Sequence, residues 1–262
     1  MRPNKLRQLL KDGKPSVATH IHSVWPSIVE AVGHTGLYDY VEFVGEYTPY
    51  HLHDLDHLCR AAEIHGLGMM IKIDAESSGF LAQRAIGSGF QSVLFADCKQ
   101  PDEFRECVRL CRPDTPDTDG SYGVATRRFS YMGYGGGTDY VQALKEIVVA
   151  VMIEKKAAVE NLEEILEMDG IDMIQWGPAD YSVNTGMAGN MGAPEVKATE
   201  RRVIDMALKA GVQPRAEIGT PDQARYFLDM GVRHFNIGTD ISILHSWWKV
   251  NGDDLRKAVD GA

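Results

Sequence analysis

Short apolar runs alternate with amphipathic helical stretches eight times along this sequence, and a chain patterned that way has few ways to close. Residues 148–182 show the unit most clearly. An apolar run rich in β-branched residues (148–153) is ended by Glu154. A helical pattern follows, with Val159, Leu162, Ile165 and Leu166 on one face and Asn161, Glu163 and Glu164 on the other. A second apolar run (171–176) is ended by the tetrapeptide GPAD, Gly177 to Asp180. The remaining strands are expected at 16–22, 38–44, 68–74, 91–96, 213–218 and 233–237. Helices are expected at 26–34, 54–65, 79–86, 101–111, 139–146, 196–210, 221–230 and 244–259. An amphipathic N-terminal helix precedes them and stops at Gly13. The pattern predicts a single α/β domain over residues 1–262, a (β/α)8 TIM barrel.

The chain has 262 residues, 44% of them hydrophobic, which is enough to bury one barrel core and fits one domain better than two. A net charge of −10 argues against nucleic acid or an anionic membrane as partner. No apolar run approaches the roughly 18 residues of a membrane span, and the first residues lack the apolar core of a signal peptide. The four cysteines have no disulfide-framework spacing, so a reducing cytoplasm is expected. Cys107 and Cys111 share a helix face without a second pair and are read as packing residues.

In a barrel of this kind chemistry collects where the strands end. The strand-end inventory is His20 and His22, Glu42 with the GEY turn after it, Lys72 and Asp74, Asp97, Glu154, Asp180, and Arg215 with Glu217. Alternation puts His20 and His22 on one side of their strand, and Lys72 and Asp74 on one side of theirs. Charges pointing into an apolar barrel need a partner or a task. One outcome is a buried ion-pair network, for instance Lys72 with Glu42 or Asp74. Glu154 and Asp180 end consecutive strands, and two carboxylates meeting there suit a hard divalent cation or shared acid–base work. Pro178 opens a helical turn, so the free amides of Ala179, Asp180 and Tyr181 are expected to form an anion site. A 2-oxo acid whose carboxylate lay there would chelate Mg²⁺ or Mn²⁺ between the two acids.

The run IEKKAAVENLEEILEMDGIDMIQWGPADYSVNTG resembles the HpcH/HpaI family of metal-dependent (class II) 2-oxo acid aldolases. The likeness extends through LRQLLKDGKP at the start, VEFVGEY, RAIGSGFQSVLFAD and the late GTD. It implies a pyruvate-type (β/α)8 barrel in which Glu154 and Asp180 hold Mg²⁺ or Mn²⁺ and a pyruvate enolate is stabilised during reversible carbon–carbon cleavage. The resemblance places the pyruvate carboxylate on the backbone of Gly177 to Asp180, with Trp176, Gly177, Pro178 and Ala179 around the substrate. It also implies a homo-oligomer, trimer or hexamer, built through the C-terminal helix, for which Trp247 and Trp248 are the expected contacts.

The departures are as informative. Where the family has Asp-x-Glu-His after the second strand, this chain has Val44, Gly45, Glu46 and Tyr47. The family's arginine near the keto oxygen aligns with Lys72, and a glutamine two residues before the metal glutamate aligns with Met152. Lys72 still offers positive charge to an enolate, as a point charge rather than a fork. His20 stands where the family is apolar or aromatic, and an imidazole there could act as base or metal ligand. His51 and His53 rank below it. The irregular stretch 112–138 reads as functional or mobile. Within it GYGGG (133–137) lacks the features of a phosphate loop and reads as the hinge of a lid, and Arg127 or Arg128 could reach a distal acid group. The expected function is a divalent-metal-dependent carbon–carbon lyase acting on a small 2-oxo acid, with Lys72, Tyr47 and His20 as catalytic residues. Two alternatives stand: an enolate enzyme with another electrophile, citrate-synthase-like or acyl-CoA lyase-like, or a barrel that binds a ligand without catalysis.

Overall fold

In the computed structural model, which describes residues 2–76, 78–124 and 136–261, eight parallel strands pair in chain order and the eighth closes on the first. They are β1 (Ser16–Ile21), β2 (Tyr40–Val44), β3 (Gly68–Ile73), β4 (Ser92–Phe95), β5 (Val148–Ile153), β6 (Met173–Trp176), β7 (Gln213–Ile218) and β8 (His234–Thr239). Twelve α-helices are described: α1 (Lys5–Lys11), α2 (Pro26–His34), α3 (Leu52–Ile64), α4 (Ser78–Ser88), α5 (Pro101–Cys111), α6 (Thr138–Lys145), α7 (Lys156–Glu160), α8 (Leu162–Leu166), α9 (Pro178–Asn184), α10 (Pro194–Ala210), α11 (Ala224–Leu228) and α12 (Asp240–Asp260). The (β/α)8 barrel expected from the alternation is the fold. Among the described residues no helix is long and apolar enough to cross a membrane.

The core has two layers because strand residues alternate between the barrel interior and the helices. Inside lie Tyr40, Met70, Leu94, Ala150, Met152 and Met173, and Leu6 of α1 joins them. Outside, Phe43, Ile71, Val93, Val149, Val151 and Ile174 pack on the helices. β5 is buried at all six positions, which is why its sequence is a continuous apolar run rather than an alternating one.

Several boundaries differ from the sequence reading for physical reasons. The helical pattern after Glu154 is two short helices that meet at Asn161, whose side-chain Nδ2 donates to the Ala157 carbonyl at 2.9 Å. The helix expected at 221–230 opens as a 3₁₀ turn, Pro221–Gln223, before α11. Strand β8 runs on to Thr239, and the last helix starts at Asp240 rather than at 244. Arg127, Arg128 and positions 133–135 of the GYGGG segment lie outside the described residues.

Candidate active site

Glu154 follows directly on β5 and is 2% exposed. Its Oε1 accepts the backbone N–H of Asp97 at 2.8 Å. Asp97, two residues beyond the neighbouring strand β4, is in a left-handed conformation, φ 64°, and aspartate is one of the few non-glycine residue types that adopts it readily. Gly177, across β6, leaves the space the carboxylate fills: a Cβ there would lie 2.5 Å from Glu154 Oε2 and 2.6 Å from its Cβ. Burial pushes the Glu154 carboxyl up to about 7; the Asp97 amide and Lys72 pull the other way, and the charge of Asp180 adds to the rise.

Asp180 stands in the first turn of α9, with its side chain 44% exposed. Gly177 is the N-cap and Pro178 the first helical residue, a position where proline forfeits no hydrogen bond. Because the helix starts there, Tyr181 N–H donates to Gly177 O at 3.0 Å. The anion site expected from three amides therefore keeps two, Ala179 and Asp180, which have no acceptor within their own helix. Trp176 is 8% exposed, its ring packs on Tyr181 at 4.7 Å between centroids, and it borders the cavity described below.

Lys155 is a member of this group that the sequence reading missed. Its Nζ lies 2.6 Å from Asp97 Oδ1 and 3.4 Å from Asp180 Oδ1, tying the ends of β4, β5 and β6 together. Burial lowers its pKa, but the surrounding carboxylates Asp97, Glu154 and Asp180 outweigh it and the net shift is upward. Only its position next to Glu154 could have flagged it.

Lys72 points from β3 into the mouth and pairs with Glu46, Nζ to Oε2 2.6 Å. This corrects the expected pairing with Glu42 or Asp74. The turn after β2 brings Glu46 over β3, while Glu42, deeper in the barrel, is claimed by Arg215. Burial lowers the Lys72 pKa, and Glu46 together with the fields of Glu154 and Glu42 more than offsets it, so the ammonium stays charged. Tyr47 is 66% exposed and its ring lies 5.6 Å from Lys72 Nζ. Partial burial and the neighbouring Glu46 carboxylate push its phenol pKa well up.

His20 is placed elsewhere, on the β1–β8 side. Its Nε2 bonds Thr239 Oγ1 and its Nδ1 accepts from Asn236 Nδ2 at 3.0 Å. It does not line the main cavity. It belongs to a polar network inside one half of the barrel. There Arg215 pairs with Glu42, Gln175 Oε1 accepts from Arg215 at 2.7 Å, and Gln175 Nε2 donates to Glu217 at 3.3 Å. Cys98 and Cys107 are buried with their sulfurs 3.6 Å apart. This contact and burial push the Cys107 thiol pKa up, so Cys107 is a packing group rather than a nucleophile.

Lys72, Glu154, Gly177, Pro178, Ala179 and Asp180 all line one cavity of about 650 Å³. The donor set is oxygen only, with one carboxylate deeply buried and destabilised by its neighbour, an arrangement a hard divalent cation would relieve. Among the described residues no group of three or more His, Cys, Asp and Glu side chains is arranged to hold a metal. A cation here would therefore take two carboxylates and leave its other positions to water and substrate, as Mg²⁺ commonly does.

Comparison with known proteins gives a consistent picture. The sequence profile of the HpcH/HpaI aldolase/citrate lyase family matches residues 19–246. The chain is 28% identical over 241 residues to the hydroxypyruvate/pyruvate aldolase of Paraburkholderia phytofirmans, covering 91% of this chain and 92% of that one. It is 27% identical to the 4-hydroxy-2-oxo-heptane-1,7-dioate aldolase of Shigella sonnei, covering 92% of this chain and 90% of that one. A crystal structure of an HpcH/HpaI aldolase/citrate lyase family protein from Burkholderia cenocepacia superposes with a TM-score of 0.86 at 28% identity, covering 97% of this chain and 100% of that one.

Proposed function

This chain belongs to the HpcH/HpaI aldolase/citrate lyase family, and from that premise we propose a divalent-metal-dependent aldolase that makes and breaks the carbon–carbon bond beside the keto group of a pyruvate-type 2-oxo acid. The observation that carries this is the seat of Glu154. A carboxylate is buried against Gly177, anchored by the Asp97 amide and set beside Asp180. In our reading Glu154 and Asp180 hold Mg²⁺ or Mn²⁺. When bound, the cation supplies the Lewis acidity that polarises a keto group.

The chain's own residues do the rest. The backbone of Gly177 to Asp180, with Trp176 behind it, receives the substrate carboxylate. Lys72, held charged by Glu46, places an ammonium where negative charge develops on the keto oxygen. It takes the place of a guanidinium without its planar fork. Tyr47 Oη keeps its proton near neutrality, so its part is to donate rather than to abstract. His20, engaged at both ring nitrogens, positions Asn236 and the polar wall of the barrel. The reading includes a reducing cytoplasm, supported by four buried free thiols, and a homo-oligomer, trimer or hexamer, joined through α12.

Exchange of the pyruvate methyl protons for deuterium, followed by NMR with Mn²⁺ present, tests the donor half directly. Exchange should stop with chelator and fall by more than about a hundredfold in Glu154→Gln, since even residues behind a metal ligand are worth 10–100-fold. Exchange indifferent to both would sink the metal mechanism.

A further inference from the structure

The cavity is larger than a pyruvate-type donor needs, and its shape says where the excess lies. A volume of about 650 Å³ is the size of a pocket that buries a drug-sized ligand. Its walls come from both faces of β7. Glu217 and Arg215 line it from inside the barrel, whereas Ala216 and Ile218 line it from the side that faces the helices. That is possible because β6 and β7 part company: their pairing ends at Gln175–Arg215, and β7 runs on to Ile218. Beyond the last paired residues the cavity is lined on one side by Gly177 and Pro178 and on the other by residues of β7 and of the helices α10 and α11.

The outer part of that space is an apolar chamber. Ile204 of α10, Ala216, Ile218 and Phe227 of α11 form its walls, and Met191 borders it. The same lining includes a polar group that is internally satisfied. Glu200, 2% exposed, accepts from Lys197 Nζ and from Tyr226 Oη, both at 2.8 Å. Lys197 and Arg201 both lie over the Tyr226 ring, at 5.1 and 5.6 Å.

We propose that this chamber is the acceptor subsite, and that the electrophile is an aldehyde bearing a bulky apolar group, aryl or branched alkyl. The proposal rests on the aldolase reading above. With the donor held at Glu154 and Asp180, the acceptor carbonyl sits at the mouth and its substituent lies through the β6–β7 opening against Ala216, Ile218 and Phe227. The new bond joins the donor methyl carbon to the acceptor carbonyl carbon. The methyl carbon gives up one proton, and the acceptor oxygen takes one up. Each methylene or ring edge held in such a chamber discriminates by roughly 10- to 200-fold.

The test uses the full chain with Mn²⁺ and pyruvate. kcat/KM for phenylacetaldehyde and for glycolaldehyde is measured in wild type, in Ala216→Phe, which fills the chamber, and in Met191→Asp, which puts a charge at its entrance. Pyruvate proton exchange is recorded for every protein. The expected result is a wild-type preference for phenylacetaldehyde of roughly tenfold or more, falling by a similar factor in both variants. A wild type that exchanges pyruvate protons but favours glycolaldehyde overturns the chamber proposal and leaves the donor site standing. So does a preference unmoved in a variant that still exchanges. A wild type that exchanges nothing overturns the aldolase reading itself. Met191 is on the rim and 46% exposed, so its variant answers even if Ala216→Phe does not fold.

Discussion

A methyl group on residue 177 would occupy the space of the Glu154 carboxylate. The added carbon would lie 2.5 Å from Oε2 and 2.6 Å from the Glu154 Cβ, and neither neighbour is a flexible tip: one is the group itself and the other its root. Gly177 has φ −109°, so the backbone there suits any residue and only the side chain is at issue. Gly177→Ala should therefore fold, at a cost of about 1–3 kcal/mol for overpacking. It should weaken Mn²⁺ binding roughly 10–100-fold by turning Glu154 out of place. Calorimetric titration measures the second effect, and unchanged affinity would mean that Glu154 is not a ligand. A second residue titrates where it can be read cleanly. Burial, with help from Arg215 and Arg233, pushes the His234 pKa from 6.5 down to about 4, and its Nδ1 sits 2.9 Å from Ser16 Oγ. The folded protein thus keeps His234 neutral while the unfolded chain takes up a proton below pH 6.5. Stability from this residue is full above 6.5, declines as pH falls through the window from 6.5 to 4, and is flat below it. The loss amounts to roughly 3 kcal/mol. Urea unfolding across that window should show His234→Asn lacking this part of the decline; parallel profiles for the two proteins would count against it.

Elements whose limits are set by local chemistry were legible, and those set by contacts far along the chain were not. Strand β5 ends where its apolar run ends, and α5 starts at Pro101 as its sequence demands. The start of α12 is a different matter. Asp240 is 5% exposed and accepts the amides of His22 and Ser23, both at 2.9 Å, as well as that of Ile241 at 2.8 Å. One carboxylate thereby fastens the end of β1 to the head of the last helix, across more than two hundred residues that no periodicity reports. Asp240→Ala should cost roughly 3 kcal/mol, because bonds to a charged acceptor are worth about 1.5–3 kcal/mol each and part of that loss is offset by water. Equilibrium urea unfolding checks it, and a loss below about 1 kcal/mol would mean the element is held mainly by packing. The site divides along the same line. Glu154 and Asp180 stand out in the sequence as acids that terminate apolar strands. Lys155 does not, because its role exists only once Asp97 and Asp180 arrive from the strands on either side. Glu46 reaches Lys72 through the shape of a turn rather than through spacing, which is why the sequence suggested the wrong partner.

At the scale of the whole molecule the barrel interior is split. Toward β3–β5 it is apolar, with Met70, Leu94, Ala150 and Met152. Toward β6–β8 and β1–β2 a polar network, Gln175, Arg215, Asn236, His20 and Glu42 tied to one another, joins the apolar Met173 and Tyr40. The cavity residues Lys72, Glu154 and Asp180 gather at the mouth where these halves meet, so on the proposed function a charged donor would meet carboxylates and an ammonium there, and the proposed acceptor an apolar opening. The outer surface is less complete. α12 has 21 residues, of which only Asp240 is buried, and Trp247 and Trp248 are each 62% exposed alongside Ile241, Ile243 and Leu255. Val17 of β1 and Trp25 just before α2 are exposed as well. Apolar side chains left uncovered in this number on one helix are what an interface would cover, and closed symmetric assembly is the usual way a single chain covers one. The protein should therefore run in solution as an oligomer, with a mass that is a multiple of the single chain. Buried tryptophans at interfaces are worth roughly 2 kcal/mol or more each. Replacing both, Trp247→Ser with Trp248→Ser, should weaken association roughly a thousandfold and shift the protein toward monomer at micromolar concentration. Light scattering coupled to size exclusion gives the answer. If the wild-type chain elutes as a monomer, α12 is covered by something other than another copy of this chain.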